Sequence, residues 1–280
     1  MSIIGKFRVR SFCAGMLVAA GLAAGSIAPA IAQDNASWDR VQKAGVLRCG
    51  AAVYPPFVSF DPLTKEYSGL FADLCRLYAE NVLGVRAEFV DTTWDNIVAG
   101  LQAGRWDLAL ALNHTPQRAL AVGFSDAAIA DQISLAFRVG NNKFPANPTS
   151  FADFDIDGVT VIVTSGTYMD RSVTALAKKA KILRLPSGDE ARLALMSGRG
   201  DVLADPVDSN LVYIAANKDW ATHIVPEPAV SRQGMGFGVH RSMSFQDLQS
   251  LNIFLEELRA TGRVDELLKA SVQKILDEKP

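Results

Sequence analysis

Two short stretches of this chain are near copies of each other. Leu101-Gln-Ala-Gly-Arg-Trp-Asp-Leu-Ala-Leu110 and Leu195-Met-Ser-Gly-Arg-Gly-Asp-Val-Leu-Ala204 each read as a helix end, a glycine, an arginine, one variable residue, an aspartate and then a strand. They stand 94 residues apart. A solenoid needs several closely spaced repeats, so one copy in each half argues for two lobes of related design. Around each copy, short apolar strands alternate with amphipathic helices. That alternation predicts an α/β fold with mostly parallel sheets. With 280 residues and 49% hydrophobic content, the chain can bury one large core or two modest ones.

The first half reads as a short helix over 37–44, a strand over 46–53, a helix over 69–82, a strand over 85–90, a helix over 94–103 and a strand over 107–112. Tyr54-Pro55-Pro56-Phe57 stops the first strand, because proline cannot continue a ladder. Two aromatics are thereby held at a strand's carboxyl end, facing a ligand or folded onto the core. Trp94 opens the helix after Thr93, at the same end, and suits either a ligand wall or a core position with its N–H satisfied. The turn formers of 140–148 mark a boundary. The pattern then restarts: strand 159–163, helix to about 179, strand 182–185, helix 189–196, strand 201–204. Gly234-Met-Gly-Phe-Gly238 puts three glycines on one face of an extended segment, which marks close backbone approach or a chain crossing. Two amphipathic helices, 244–260 and 263–276, finish the chain.

Residues 1–32 are read as a signal peptide. Lys6, Arg8 and Arg10 precede a small, apolar run, and Ala30-Ile31-Ala32 is a small-x-small site with cleavage after Ala32. Their removal leaves 25 basic against 30 acidic residues. That balance, with no basic run, argues against a nucleic-acid partner. No later stretch is apolar enough to span a membrane, so an exported, periplasmic protein is expected. Cys49 on a strand and Cys75 on the apolar face of the next helix are read as two buried free thiols in preference to a bridge, because a bridge demands a narrow geometry. No metal and no cofactor is expected: His114, His223 and His240 are scattered.

Arg118 falls in the first turn of a helix started by Thr115-Pro116. A cation there opposes the helix dipole, so it is a poor choice for helix stability. At a strand's carboxyl end its guanidinium can grip a carboxylate with two parallel bonds; the bland alternative is a solvated surface arginine. Gly166 with Thr167 and Tyr168 makes a second helix start with free N–H groups, opposite in the fold.

Strand, small polar residue, Thr115-Pro-x-Arg118, then Phe124-Ser-Asp126, resembles the ligand-arginine segment of the periplasmic amino-acid-binding proteins of ABC importers, solute-binding protein family 3. Tyr54-x-Pro56-Phe57 after the first strand is similar to that family too. Ala127-Ala128 depart from its usual Pro-Tyr. The resemblance implies a type II periplasmic-binding-protein-like fold with two crossings, lobe 1 being 33–138 with 233–280 and lobe 2 being 139–232. It implies capture of an amino acid or similar small carboxylate for a membrane permease, by a monomer that closes like a hinge. Arg118 and the Gly166, Thr167, Tyr168 turn would hold the carboxylate. Asp205 would take the ammonium, although it stands one residue early after Asp201, with Asp208 as the fallback. Tyr54 and Trp94 would cover the apolar part, and backbone groups of Ala111 and Asn113 would add hydrogen bonds. Ala51 stands where members that take lysine, arginine or histidine commonly have an acid, so a neutral ligand is expected. The rivals are an enzyme on the same fold, a dehydratase of a cyclic carboxylate with Asp205 or His114 as acid or base, and a ligand sensor.

Overall fold

The computed structural model describes residues 37–277. The expected signal peptide and its cleavage site lie outside the described residues. Helix α1 (Trp38–Ala44) is capped by Ser37, whose hydroxyl accepts from the Arg40 N–H, and is closed by Gly45 in the left-handed region. Then come β1 (Val46–Ala51), a small hairpin of β2 (Ser59–Phe60) and β3 (Tyr67–Ser68), α2 (Leu70–Tyr78), β4 (Arg86–Asp91), α3 (Ile97–Gln102) and β5 (Leu108–Asn113). Next are α4 (Pro116–Ala119), β6 (Gly123–Phe124), β7 (Ile129–Arg138), β8 (Thr160–Thr164), α5 (Tyr168–Leu176), β9 (Lys181–Leu185), α6 (Gly188–Met196) and β10 (Val202–Pro206). The chain ends with α7 (Val207–Ala215), β11 (Ala221–Ile224), β12 (Arg232–Val239), α8 (Phe245–Ala260) and α9 (Arg263–Asp277).

The strands run β4-β1-β5-β12-β7-β10-β8-β9. At one end β4, β1 and β5 are parallel, and at the other β10, β8 and β9 are parallel. Between them β12 and β7 run antiparallel to their neighbours. β7 is the shared strand: Ile129 to Gln132 pair with β12, and Ile133 to Phe137 pair with β10. Its length explains why an apolar stretch interrupted by Asp131 and Gln132 still forms one element. This is the two-lobed architecture of type II periplasmic binding proteins.

The repeated sequence unit has one structural meaning in both places. Asp107 donates its backbone N–H to the Arg48 carbonyl and accepts the Arg48 N–H on its carboxylate, at 2.8 and 2.9 Å. Asp201 does the same to Thr160, at 2.8 and 2.9 Å. Each aspartate therefore pins the start of the neighbouring parallel strand, β1 or β8. Gly104 and Gly198 sit at φ +65° and +72°, a turn that a side chain would strain. Each carboxylate also meets cations, Arg40 and Arg48 in one case and Lys143 in the other.

Helix boundaries differ from the sequence reading where local chemistry changes. α2 passes into a π turn over Ala79–Leu83 before Gly84 closes it. Trp94 stands in a turn ahead of α3, not in the helix. α7 follows β10 directly, with Pro206 at its N-cap and no side-chain capping bond.

The expected free thiols are corrected: Cys49 and Cys75 form a disulfide between β1 and α2. The inner face of α2 packs on β1, which brings the two side chains together. The bridge joins residues 26 apart. Closing a loop of that size contributes about 3–4 kcal/mol by constraint of the unfolded chain. Cys49→Ala with Cys75→Ala is expected to lose about 3 kcal/mol in denaturant unfolding and to keep its ligand affinity. Unchanged stability would contradict a stabilising crosslink.

Candidate ligand-binding site

The carboxyl ends of the parallel strands from both halves of the sheet converge, which is where ligands bind in open α/β sheets. Tyr54 follows β1, Trp94 follows β4, Ala111 and Asn113 end β5, and Thr167 and Tyr168 follow β8. These residues and Arg118 line one small cavity, together with Phe57, Met169, Pro206 and Met235. Its volume is about 10 Å³, room for roughly one water. The Tyr54 and Trp94 rings meet edge to face at 5.6 Å. The Trp94 indole N–H has no hydrogen-bond partner among the described residues, unlike a satisfied core tryptophan.

Arg118 is where the sequence places it and is not a solvated arginine: it is only 5% exposed. Thr115 caps its helix, accepting the Arg118 N–H at 3.2 Å, and Pro116 takes the first helical position. The guanidinium donates to the carbonyls of Asn113 and Gly166, both at 3.3 Å. No carboxylate pairs with it among the described contacts. Burial, with nearby Arg171, pulls its pKa down to about 9.

Gly166 meets Arg118 through its carbonyl rather than through N–H groups, at φ +73° and against Asp95. It does not line the cavity. The Thr167 hydroxyl accepts from the Asp170 N–H and donates to the Thr164 carbonyl at 2.6 Å, so it is occupied in capping α5. A further contact across the cleft runs from the Ser209 hydroxyl to the Pro55 carbonyl at 2.7 Å.

Asp205 is buried at 1% exposure but does not line the cavity. One of its oxygens accepts from Arg192 at 3.0 Å and the other from the Tyr54 hydroxyl. Arg192, which sequence reasoning missed, also lies 5.6 Å over the Tyr54 ring. Burial opposes the Arg192 charge, and Asp205, Tyr54 and Asp189 together more than offset this and raise its pKa. Pro206, the residue after Asp205, is the β10 residue on the cavity wall. Asp208 faces a different pocket, with Arg259 and Leu268. His114 packs on Phe124 at 4.7 Å, and it too lies off this cavity.

Asp131 was also missed, although an acid inside an apolar strand was a visible signal. Its carboxylate accepts from the Asn113 amide at 2.8 Å and faces the Tyr168 hydroxyl. Burial pushes its pKa up to about 7, against those two groups. The folded protein therefore holds a proton that the unfolded chain releases near its ordinary value. This contribution is present at low pH and is lost as pH rises toward about 7, with a slope up to about 1.4 kcal/mol per pH unit. Asp131→Asn is expected to flatten that decline in denaturant titrations between pH 4 and 8. Equal slopes in both proteins would refute it.

Ala111 has φ +53°, left-handed for a residue with a Cβ, and falls where the β5–β12 register shifts. Such strain costs about 1–2 kcal/mol and gathers at functional sites. It releases the Ala111 backbone from the regular ladder beside the cavity. Among the described residues no cluster of three or more His, Cys, Asp or Glu side chains could hold a metal.

A two-lobed fold with a buried arginine and aromatics at the facing strand ends defines a periplasmic-type binding protein. The chain belongs to the bacterial extracellular solute-binding proteins, family 3, and matches that family over residues 47–273. It is 28% identical over 238 residues to YhdW of Escherichia coli, named for amino-acid ABC transporter binding, covering 80% of this chain and 67% of that one. It is 27% identical over 177 residues to the cyclohexadienyl dehydratase of Pseudomonas aeruginosa, covering 62% and 64%. Among solved structures it resembles an ancestral amino acid-binding protein, a precursor of cyclohexadienyl dehydratase, with TM-score 0.73, 29% identity and coverage of 85% and 100%. It also resembles an ArgBP from T. maritima, with TM-score 0.74, 26% identity and coverage of 84% and 99%.

Proposed function

We propose that this protein captures an amino acid or similar small carboxylate in the periplasm and delivers it to the membrane permease of an ABC transporter. The observation that carries this reading is Arg118: a buried guanidinium whose hydrogen-bond partners among the described residues are two carbonyls, on a cavity walled by aromatics. A ligand carboxylate gives that cation its missing counter-charge. The lobes, expected as 33–138 with 233–280 and 139–232, close as a hinge around the ligand, with the first crossing inside β7, where pairing passes from β12 to β10 between Gln132 and Ile133. Tyr54, Trp94 and Tyr168 cover the ligand body, and Ala111, Asn113 and the Gly166-Thr167 turn supply polar contacts once the cleft rearranges. Asp205 would reach a ligand only by giving up Arg192 or Tyr54. Among the described residues the cavity lining carries no acid, which favours a neutral ligand body over lysine or arginine; Ala51 is buried off that lining.

The protein works as a monomeric binder in this reading, not as a dehydratase. A dehydratase needs an acid or base on the substrate. Of the two groups suggested for that task, Asp205 is held by Arg192 and Tyr54, and His114 is packed on Phe124. The test is a thermal-shift screen of amino acids and small carboxylates, followed by mass analysis of the recovered ligand. Unchanged ligand that raises the melting temperature supports binding. Converted ligand would overturn this reading in favour of the enzyme.

A further inference from the structure

Among the described residues, the cavity wall carries a cation and no free acid. Arg118 is the charged group on it, and β10 meets it through Pro206. Asp205 has both oxygens engaged, by Arg192 at 3.0 Å and by the Tyr54 hydroxyl. Asp131 is not part of the lining, and one of its oxygens is taken by the Asn113 amide at 2.8 Å. The rest of the wall is apolar or aromatic, with Phe57, Met169 and Met235 beside the tyrosines and Trp94.

An α-amino acid would satisfy Arg118 with its carboxylate but would bring an ammonium into an enclosure with no acceptor carboxylate available. A buried charge without a partner is strongly disfavoured. A carboxylate without that ammonium leaves the site neutral overall: its charge cancels Arg118, and Arg192 already cancels Asp205. We infer that the ligand is a carboxylic acid anion with an apolar or aromatic body and no charged amino group. This rests on the reading of the cavity as the ligand site with Arg118 as its carboxylate partner.

The test is calorimetry on the mature protein with matched sets that differ at the α-carbon. Phenylpropionate and phenylpyruvate are compared with phenylalanine, and isocaproate and ketoisocaproate with leucine. The deamino or keto acid is expected to bind at least tenfold tighter than its amino acid, a gap of about 1.4 kcal/mol. An amino acid that binds as tightly as its partners overturns the inference. Pro206→Asp puts a carboxylate on the cavity wall and is expected to shrink or reverse the preference, with a thermal melt to show that it folds. An unchanged preference in a folded Pro206→Asp protein also counts against the inference. Arg118→Ala separates the two levels. Loss of the deamino acids in that variant supports the cavity reading, and their retention overturns it. Failure of every compound to bind the wild type overturns both.

Discussion

Arg118→Ala is expected to weaken ligand binding at least about 100-fold and to leave the fold intact. A charge-assisted hydrogen bond contributes about 1.5–3 kcal/mol, and a guanidinium gives a carboxylate two of them. About 2.7 kcal/mol already corresponds to 100-fold. The ligand also keeps its own charge in the closed cleft after the substitution, which adds to the loss. Stability moves little because two effects oppose each other. The variant loses two 3.3 Å bonds to the Asn113 and Gly166 carbonyls. It also loses a buried cation whose pKa is drawn down to about 9 because the site disfavours its charge. Calorimetry reads the first effect and a denaturant titration the second. Affinity within about twofold of wild type would remove Arg118 from the site. Arg118→Lys keeps the charge without the planar fork and should fall between the two.

Arg192→Ala is expected to cost about 3–5 kcal/mol of stability. Its guanidinium is the only cation bonded to Asp205 among the described residues, at 3.0 Å, and Asp205 has 1% exposure. Without Arg192 the carboxylate must stay charged in the interior or take up a proton. The Tyr54 hydroxyl can donate one hydrogen bond but cannot supply charge. Arg192→Met with Asp205→Asn removes both charges and is expected to recover most of the loss, since a missing pair is tolerated better than half a pair. Urea titrations of the two single variants and the double variant measure the coupling. A loss below about 1 kcal/mol for Arg192→Ala would mean that water reaches Asp205.

The residues that were easiest to read from sequence act through the backbone. The paired Gly-Arg-x-Asp units announced two related halves, and both aspartates turn out to clamp a neighbouring strand. Thr115-Pro116 announced a capped helix, and the Pro55-Pro56 turn announced aromatics at a strand end. Arg118 was legible because a cation in a first helical turn is locally unfavourable and so asks for another reason. What stayed hidden depends on which side chains meet across the fold. Arg192 looks like any arginine on an amphipathic helix until α6 packs beside β10. Asp131 interrupts an apolar run, yet nothing local tells a break from a buried acid. The bridge between Cys49 and Cys75 needed the packing of α2 on β1. That Pro206 rather than Asp205 lies on the cavity wall is visible only once the strand is placed.

The cavity of about 10 Å³ has a consequence for how fast the protein can work. With Arg118 on the Gly166 carbonyl and Ser209 on Pro55, the two halves are already fastened to each other. In the proposed reading a solute would enter only when those fastenings let go. The shut form would then compete with every solute, and the apparent affinity would be the intrinsic one scaled by the open fraction. Capture would be set by how often the jaws part as much as by how well they grip. At high solute concentration the uptake rate would level off at the rate of opening. The same hydrogen bonds that shape the site would thus act as its timer.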